Sequence, residues 1–313
     1  YEIYNTGHPQ EDYFNMYRID DKSDLKEAVL YVDYKTDIRE HNMAAAGREA
    51  GCGFSKSFVE SFLCSDGLPI SLSNKYLGDE TMRKETANRD PRLKQLILTN
   101  DFPTNVTDDL KDSTFVVNED EFITQHCFTG YRPIKGFNPI YSQALYMKSS
   151  FDGIAYRYAE TLLINAEAKA ELNTITDADL DRTINQLRDR VGMPHLTVNV
   201  GFTDPKWPDW GYSLSPILQE IRRERCIELA GEGFRFNDLK RWKAGKVLNN
   251  VLTYVGKRKP DGNLAIVYPN YTNPDLSYQA GKSRTWEDKM YLYPIPTGEL
   301  QRNPQLLPQN PGW

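Results

Sequence analysis

Apolar residues recur at helical spacing most clearly in the second half of the chain. Ala155, Ala159, Leu162, Ala166 and Ala170 fall on one face and predict a helix that stops near Asn173. A second helix is predicted from about Asp177, with Ile184, Leu187 and Val191 on one side, ended by Gly192 and Pro194. Joined by a short loop, the two form an antiparallel hairpin over 155–192. Its length is close to one tetratricopeptide repeat of about 34 residues, but the repeat's tryptophan-leucine-glycine consensus is missing, so the hairpin reads as TPR-like. A second hairpin, 215–244, opens at Ser215-Pro216, a capping serine followed by proline in the first turn. Residues 195–214 between the hairpins are loop chemistry, with Pro208 between Trp207 and Asp209.

The first half has a different texture. Over 1–150, short strand-like runs occur at 27–33, 93–99 and 114–118, separated by turn-rich stretches. Phe54, Phe58 and Phe62 recur every four residues and predict a short helix from Ser55 to Cys64, broken by Asp66-Gly67 and Pro69. Residues 245–290 turn irregular again, with 262–269 as a strand candidate. Prolines 294, 296, 304, 308 and 311 predict an extended strap over the helices. The fold class is therefore mainly α: TPR-like helical hairpins with long irregular segments and a few short strands. One continuous domain is expected, with 1–150 as a loop-rich, ligand-facing part and 151–313 as a helical core carrying the strap.

Charge sharpens this picture between Ile221 and Trp242, where ten charged residues sit on two short helices. A solvated helix segregates its charges to one face. Here they fall all around, so some must face inward, and inward charges persist only when paired. Three-residue spacings offer the pairs Arg225–Glu228, Glu232–Arg235, Arg235–Asp238 and Asp238–Arg241. The stretch reads as an ionic clasp between a helix ending near Gly231 and one starting near Gly233; a merely charged surface is the alternative. Glu160 and Glu167 share a face of the 155–173 helix, and Arg157, Arg188, Arg190, Arg222 and Arg225 are available as partners. Paired carboxylates invite an acid–base reading, as in a glycosidase, but that pair normally spans a cleft rather than one helix flank. Ion pairing is the preferred role for both.

Composition narrows the function. At 39% hydrophobic and 26% charged residues, the 313-residue chain is globular, and its net charge of -6 argues against a nucleic-acid surface. No apolar run approaches a membrane span. The four cysteines, Cys52, Cys64, Cys127 and Cys226, have wide, irregular spacings that do not suit zinc; a Cys52–Cys64 disulfide is compatible with export. Histidines 8, 41, 126 and 195 are scattered, and no catalytic, nucleotide-binding or metal motif appears, so neither cofactor nor metal is expected. The 19 tyrosines supply flat rings with polar tips, which suit either sugar contact or a wet, loop-rich fold.

Two loops are candidates for ligand contact. The segment 34–48 combines Tyr34, Asp37, Arg39, His41 and Asn42, and Tyr76 follows a second polar stretch at 71–76. Planar side chains with fixed donors and acceptors suit sugar hydroxyls, and rings supply stacking. Trp207, Trp210 and Tyr212 form the other candidate, a proline-flanked aromatic loop that reads either as a binding surface or, preferably, as a plug over the helix junction.

Several stretches together carry a family resemblance. ERCIELAGEGFRFNDLKRW at 224–242, YRYAETLLINAEAKAELN at 156–173, INQLRDRVGMP at 184–194, YPIPTGELQRNPQLLPQNPGW at 293–313, NRDPRL at 88–93 and the opening YEIYNTG occur in family order. The chain resembles the SusD/RagB family of outer-membrane nutrient-binding lipoproteins, without the helical amino-terminal portion that normally comes first in that pattern. The resemblance implies a surface-exposed protein of Bacteroidetes-type bacteria, lipid-anchored through an acylated cysteine upstream of this chain. It further implies that the protein is not an enzyme, and that it binds oligosaccharides and delivers them to a TonB-dependent SusC-like transporter. A peptide-binding RagB-like uptake subunit is the alternative, and a glycoside hydrolase a more distant one. Binding loops vary across the family, so the resemblance assigns no ligand contact to a position here.

Overall fold

The structure is a computed structural model that describes residues 1–43, 53–100, 102, 105–106, 112–113, 122–123, 127–266 and 284–313. Its first part is assembled from short pieces. In chain order they are α1 (Asp12–Tyr17), β1 (Ala28–Val32), α2 (Lys56–Ser61), α3 (Met82–Thr86), α4 (Arg92–Leu96), the two-residue strands β2 (Asn105–Val106) and β3 (Asp112–Ser113), and α5 (Tyr141–Ala144). The second part holds β4 (Gly153–Arg157), α6 (Tyr158–Glu171), α7 (Asp177–Asp181), α8 (Ile184–Arg190), α9 (Pro216–Glu228), α10 (Arg235–Arg241), β5 (Val255–Arg258), β6 (Leu264–Ile266) and α11 (Thr297–Arg302). The fold is mainly helical, with TPR-like hairpins and, among the described residues, only two-stranded antiparallel ribbons: β1–β4, β2–β3 and β5–β6.

Local chemistry explains four of the helix starts. The side chains of Ser55, Thr81, Thr176 and Ser215 each accept a bond from a backbone N–H three residues on, which satisfies one orphan donor of the first turn. At Thr176 the pairing is reciprocal, because Asp179 accepts from the Thr176 N–H.

Several elements differ from the sequence reading. Residues 93–99 are not a strand: α4 covers Arg92–Leu96, and only Ile97 makes a bridge, to Pro133. The Asp90 carboxylate accepts the Arg92 N–H, and Leu93 and Leu96 turn onto the buried core, so helix initiation overrides the run of bulky residues. The long helix begins at Tyr158, not Ala155, because residues 153–157 pair with β1. The predicted 177–192 helix is two helices. Thr183 leaves helical geometry (φ -130°, ψ -93°) and its hydroxyl donates back to the Asp179 carbonyl. The second hairpin closes early, with α10 ending at Arg241. In the 262–269 candidate, Leu264–Ile266 form a strand against Val255–Arg258, and 267–269 lie outside the described residues, as do the 114–118 run, Cys52 with its disulfide possibility, and His126.

The carboxyl-terminal strap is not extended throughout. It contains α11 and closes on itself: Trp313 Nε1 donates to the carbonyls of Lys289 and Leu292, and the Gln309 amide bonds both backbone groups of Ile295. It touches the helices where the Lys240 ammonium lies 4.0 Å over the Tyr293 ring, and where Trp286 packs on Gly245. A Cβ at Gly245 would stand 2.0 Å from that indole, so only glycine fits there.

Three apolar clusters hold the chain. One joins α1, α2, α4 and the 131–137 segment to Ile227 and Ala230. A second fills the space among α6, α7, α8 and α9, where the alanines of α6 present small side chains to its neighbours. The third stacks Trp210 on Trp242 beside Leu239 and Val247.

Candidate functional site

Between the first two clusters lies a buried network of charges. Glu228, fully buried, accepts from Arg92 Nη1 (2.9 Å), Arg157 Nη1 (2.5 Å) and Arg190 Nη2 (2.7 Å to each oxygen). Arg92 also pairs with Asp90 and Glu224, Arg188 with Glu224, and Arg157 with Glu27 and Glu232. Arg190 reaches Glu27 as well, and Lys135 closes the network on Glu232 at 2.6 Å. Burial opposes ionisation of Glu228, but the three guanidiniums outweigh it and hold the carboxyl well below the usual range. At Glu232 the same contest, against Arg157 and Lys135, brings the pKa down to about 2. Burial wins at Lys135, whose ammonium is pulled to about 8 despite Glu232.

A second set binds α10 to its neighbours. Arg225 Nε donates to Asp238 (2.8 Å), Arg241 donates to Asp238 and, through both terminal nitrogens, to Glu167 (2.8 and 2.6 Å). Trp242 Nε1 also donates to Glu167, and Arg222 pairs with Glu171. Of the four three-residue pairs read from spacing, only Asp238–Arg241 forms. Gly231 and Gly233, at φ 75° and 85°, turn the chain between α9 and α10 and carry Glu232 and Arg235 off the helical register. Glu228 then meets arginines from three other segments, and Arg225 meets Asp238 thirteen residues on. Two residues expected in the network stand outside it. Among the described residues Glu160 makes no ion pair; burial raises its pKa, and Arg225 offsets this only in part. Arg235 is exposed, pairs with no carboxylate among the described residues, and lies 5.9 Å over Trp242.

Of the 34–48 candidate, 44–48 lie outside the described residues, and 34–42 is a turn clamped onto 143–151. Lys35 and Arg39 close it, Asp37 takes a positive φ at its tip, and His41 bridges Ser149 through the backbone. The turn uses much of its own polarity. Both ring nitrogens of His41 are engaged, with Phe151 O at 2.8 Å and the Met43 N–H at 3.0 Å, and burial lowers its pKa, so it is a neutral strut rather than a free ligand contact. Tyr34 packs edge-on against His41 and lies under the Arg39 guanidinium at 5.0 Å. Asn42 accepts the Met147 N–H, and Asp37 and Glu40 share Lys148. Three exposed side chains on or next to this clamp were passed over by sequence reasoning. Tyr146 and Ile38 are each 76% exposed, and Tyr141 is 53% exposed on the neighbouring α5. Their only sequence signal is two tyrosines in a polar stretch.

The remaining candidates lie elsewhere. Tyr76 is half-buried under the Arg89 guanidinium (5.3 Å), which is itself anchored on the Val59 and Phe62 carbonyls, so the ring belongs to the packing around α2. Trp210 is 2% exposed and stacks on Trp242 at 5.4 Å; it fills the helix junction and cannot serve as an open platform. Tyr212 locks this plug by donating to the Trp242 carbonyl and accepting from Arg222. Trp207 stays half-buried, at the wall of a groove of about 310 Å³. Sequence reasoning missed Glu27, Asp90, Arg92, Lys135 and Glu224 in the frame. Asp90 and Arg92 lie inside the NRDPRL stretch, where an acid and a base two apart flank a helix start. No group of three or more His, Cys, Asp or Glu among the described residues is placed to hold a metal ion.

Comparison with known proteins points to one family. The SusD family profile matches residues 8–313, and the chain belongs to that family. SusD-like protein P2 from Formosa agariphila is 31% identical over 166 residues, which cover 53% of this chain and 27% of that protein. A SusD-like protein from Bacteroides fragilis superposes with a TM-score of 0.67 at 26% identity, over 100% of this chain and 59% of that one. A SusD-like carbohydrate-binding protein of the same strain gives 0.60 at 24% identity, over 90% and 54%, and so speaks to the fold alone. The chain thus spans between about a quarter and three fifths of these relatives' lengths.

Proposed function

We propose that this chain is part of a cell-surface protein of the outer membrane that captures oligosaccharides and passes them to a SusC-like TonB-dependent transporter, without breaking bonds in them. Lipid anchoring through a cysteine upstream of the chain belongs to the same reading. The observation that carries it is the exposure of two tyrosines, Tyr141 and Tyr146, on a rigid scaffold of the SusD family. Tyr141 and Tyr146 offer flat apolar faces for a sugar's C–H surface, while Arg39, Asp37 and the Asn42 amide nitrogen, which has no partner among the described residues, offer partners for hydroxyls. Such a shallow site holds an extended ligand weakly and releases it, and several contacts along one chain compensate for modest affinity. Binding without hydrolysis accords with the carboxylates of α6: Glu167 is occupied by Arg241 and Trp242, and Glu160 lies seven residues away on the same helix rather than across a cleft.

No helix of the described residues is long and apolar enough to cross a membrane. The test is affinity electrophoresis and glycan-array binding of the chain, with Tyr146→Ala and Tyr141→Ala beside it. Retardation by at least one polysaccharide, lost in the tyrosine variants at unchanged melting temperature, is the expected result. Binding to no glycan, or release of reducing sugar, would overturn the proposal.

A further inference from the structure

The groove beside Trp207 is chemically unlike the tyrosine face. One wall is Trp207 and the half-buried Phe58 ring on α2; the floor includes Trp210, and the rim carries Asn250 and Arg235. Most charges that line it are spoken for: Asp204 by Arg223 (2.8 Å), and Arg222 by Glu171. Glu60 faces Lys56 at 3.7 Å and also feels the nearby Lys206 charge. Arg235 and Lys206 are different. Both are exposed and ion-pair with no carboxylate among the described residues, which tips the groove positive. Two donors add to it. Trp210 Nε1 is buried with no acceptor among the described residues, an unfavourable arrangement that a ligand acceptor would relieve. The Asn250 amide nitrogen has no partner among the described residues, since only its oxygen is used, by the Leu252 N–H.

Aromatic faces, unused N–H donors and one guanidinium fit a flat, hydroxylated ring that bears a carboxylate. A guanidinium grips a carboxylate with two parallel bonds, and an indole accepts the ring's C–H face. We propose that this groove is a second saccharide site, selective for an acidic sugar residue, with the ring on Trp207 and the carboxylate on Arg235. The proposal rests on the glycan-binding reading given above. An apolar peptide side chain would leave the polar rim unanswered, and a neutral sugar would leave Arg235 unanswered.

Cys226 also lines the groove and is partly exposed, so it reports occupancy. Trisaccharides of galacturonate, glucuronate and mannuronate, each beside its methyl ester, are titrated into the full chain by calorimetry. Alkylation of Cys226 is followed in parallel by peptide mass spectrometry. At least one acid form is expected to bind ten-fold or more tighter than its ester and to slow Cys226 alkylation. Arg235→Gln should remove that preference, Trp207→Ala should weaken both forms, and Tyr146→Ala should leave the preference intact. Acid and ester binding equally, Cys226 unprotected, or an unchanged preference in Arg235→Gln would overturn this inference alone, provided some glycan still binds through the tyrosine face. Failure of every glycan would remove the underlying reading as well.

Discussion

Replacing Glu228 with glutamine should be among the most damaging near-isosteric changes available to this chain. The carboxylate is fully buried and answers Arg92, Arg157 and Arg190 together. Glutamine keeps the volume but removes the charge, and its amide NH₂ would point donors at donors. Taking one partner out of a buried ionic pair typically costs about 3–5 kcal/mol, most of it the penalty of the charges left behind. Unfolding entropy near 2.1 cal/mol/K per residue gives roughly 0.66 kcal/mol/K for a chain of 313 residues, so that loss corresponds to a fall in melting temperature of about 5–8 °C. Differential scanning calorimetry at pH 7 reads it directly. A second variant checks the cause: adding Arg190→Met removes one stranded cation and should recover part of the loss, giving a coupling above about 1 kcal/mol. A drop below about 1 °C in Glu228→Gln, or a double variant no better than the sum of the singles, would refute the account of the frame.

Glu167→Ala should cost about 1–3 kcal/mol, chiefly by stranding the buried Trp242 N–H since Arg241 is half-exposed and keeps Asp238, yet leave glycan retardation unchanged, because Glu167 touches neither candidate surface. Tyr76→Ala should likewise lower the melting temperature without loss of retardation, and weakened glycan binding would restore it to the list of contacts. Glu232 titrates near 2 when folded and near 4.5 when unfolded, so its contribution is complete above 4.5 and is lost as pH falls toward 2. That amounts to at most about 3 kcal/mol, and acid melts of wild type beside Glu232→Gln should converge at low pH. Lys22 and Lys135 run the other way: each is held near 8 against 10.5 when unfolded, so the unfolded chain binds more protons between those values, and these groups make stability rise across that window. The slope of melting temperature from pH 8 to 10 should therefore be more positive in wild type than in a Lys22→Met, Lys135→Met double variant.

The helical scaffold was legible because α6, α8 and α9 write their core positions at regular spacing, and because Ser215-Pro216 and Gly192 punctuate them. What the spacing could not reveal was which charge meets which. Glu228 and Arg92 are 136 residues apart, and no local rule pairs them. Arg157 was visible as a partner but read as helical: it is the last residue of a short strand, where cross-strand pairing with β1 outweighed the helical pattern around it. The tryptophans were visible as a loop, but whether such rings fill a junction or face water depends on a neighbour, here Trp242, that only tertiary packing supplies. The tyrosine face stayed unread because exposure, unlike periodicity, leaves no mark in a polar stretch.

Counted as a closed set, Arg92, Lys135, Arg157, Arg188 and Arg190 balance Glu27, Asp90, Glu224, Glu228 and Glu232, so the buried network sums to zero. Neutrality of that kind constrains descent. A lineage that loses one member must shed an opposite one in step or carry a stranded charge, so change here should travel in acid–base couples drawn from distant parts of the chain. The peripheral loops carry no such debt and are free to diversify one residue at a time.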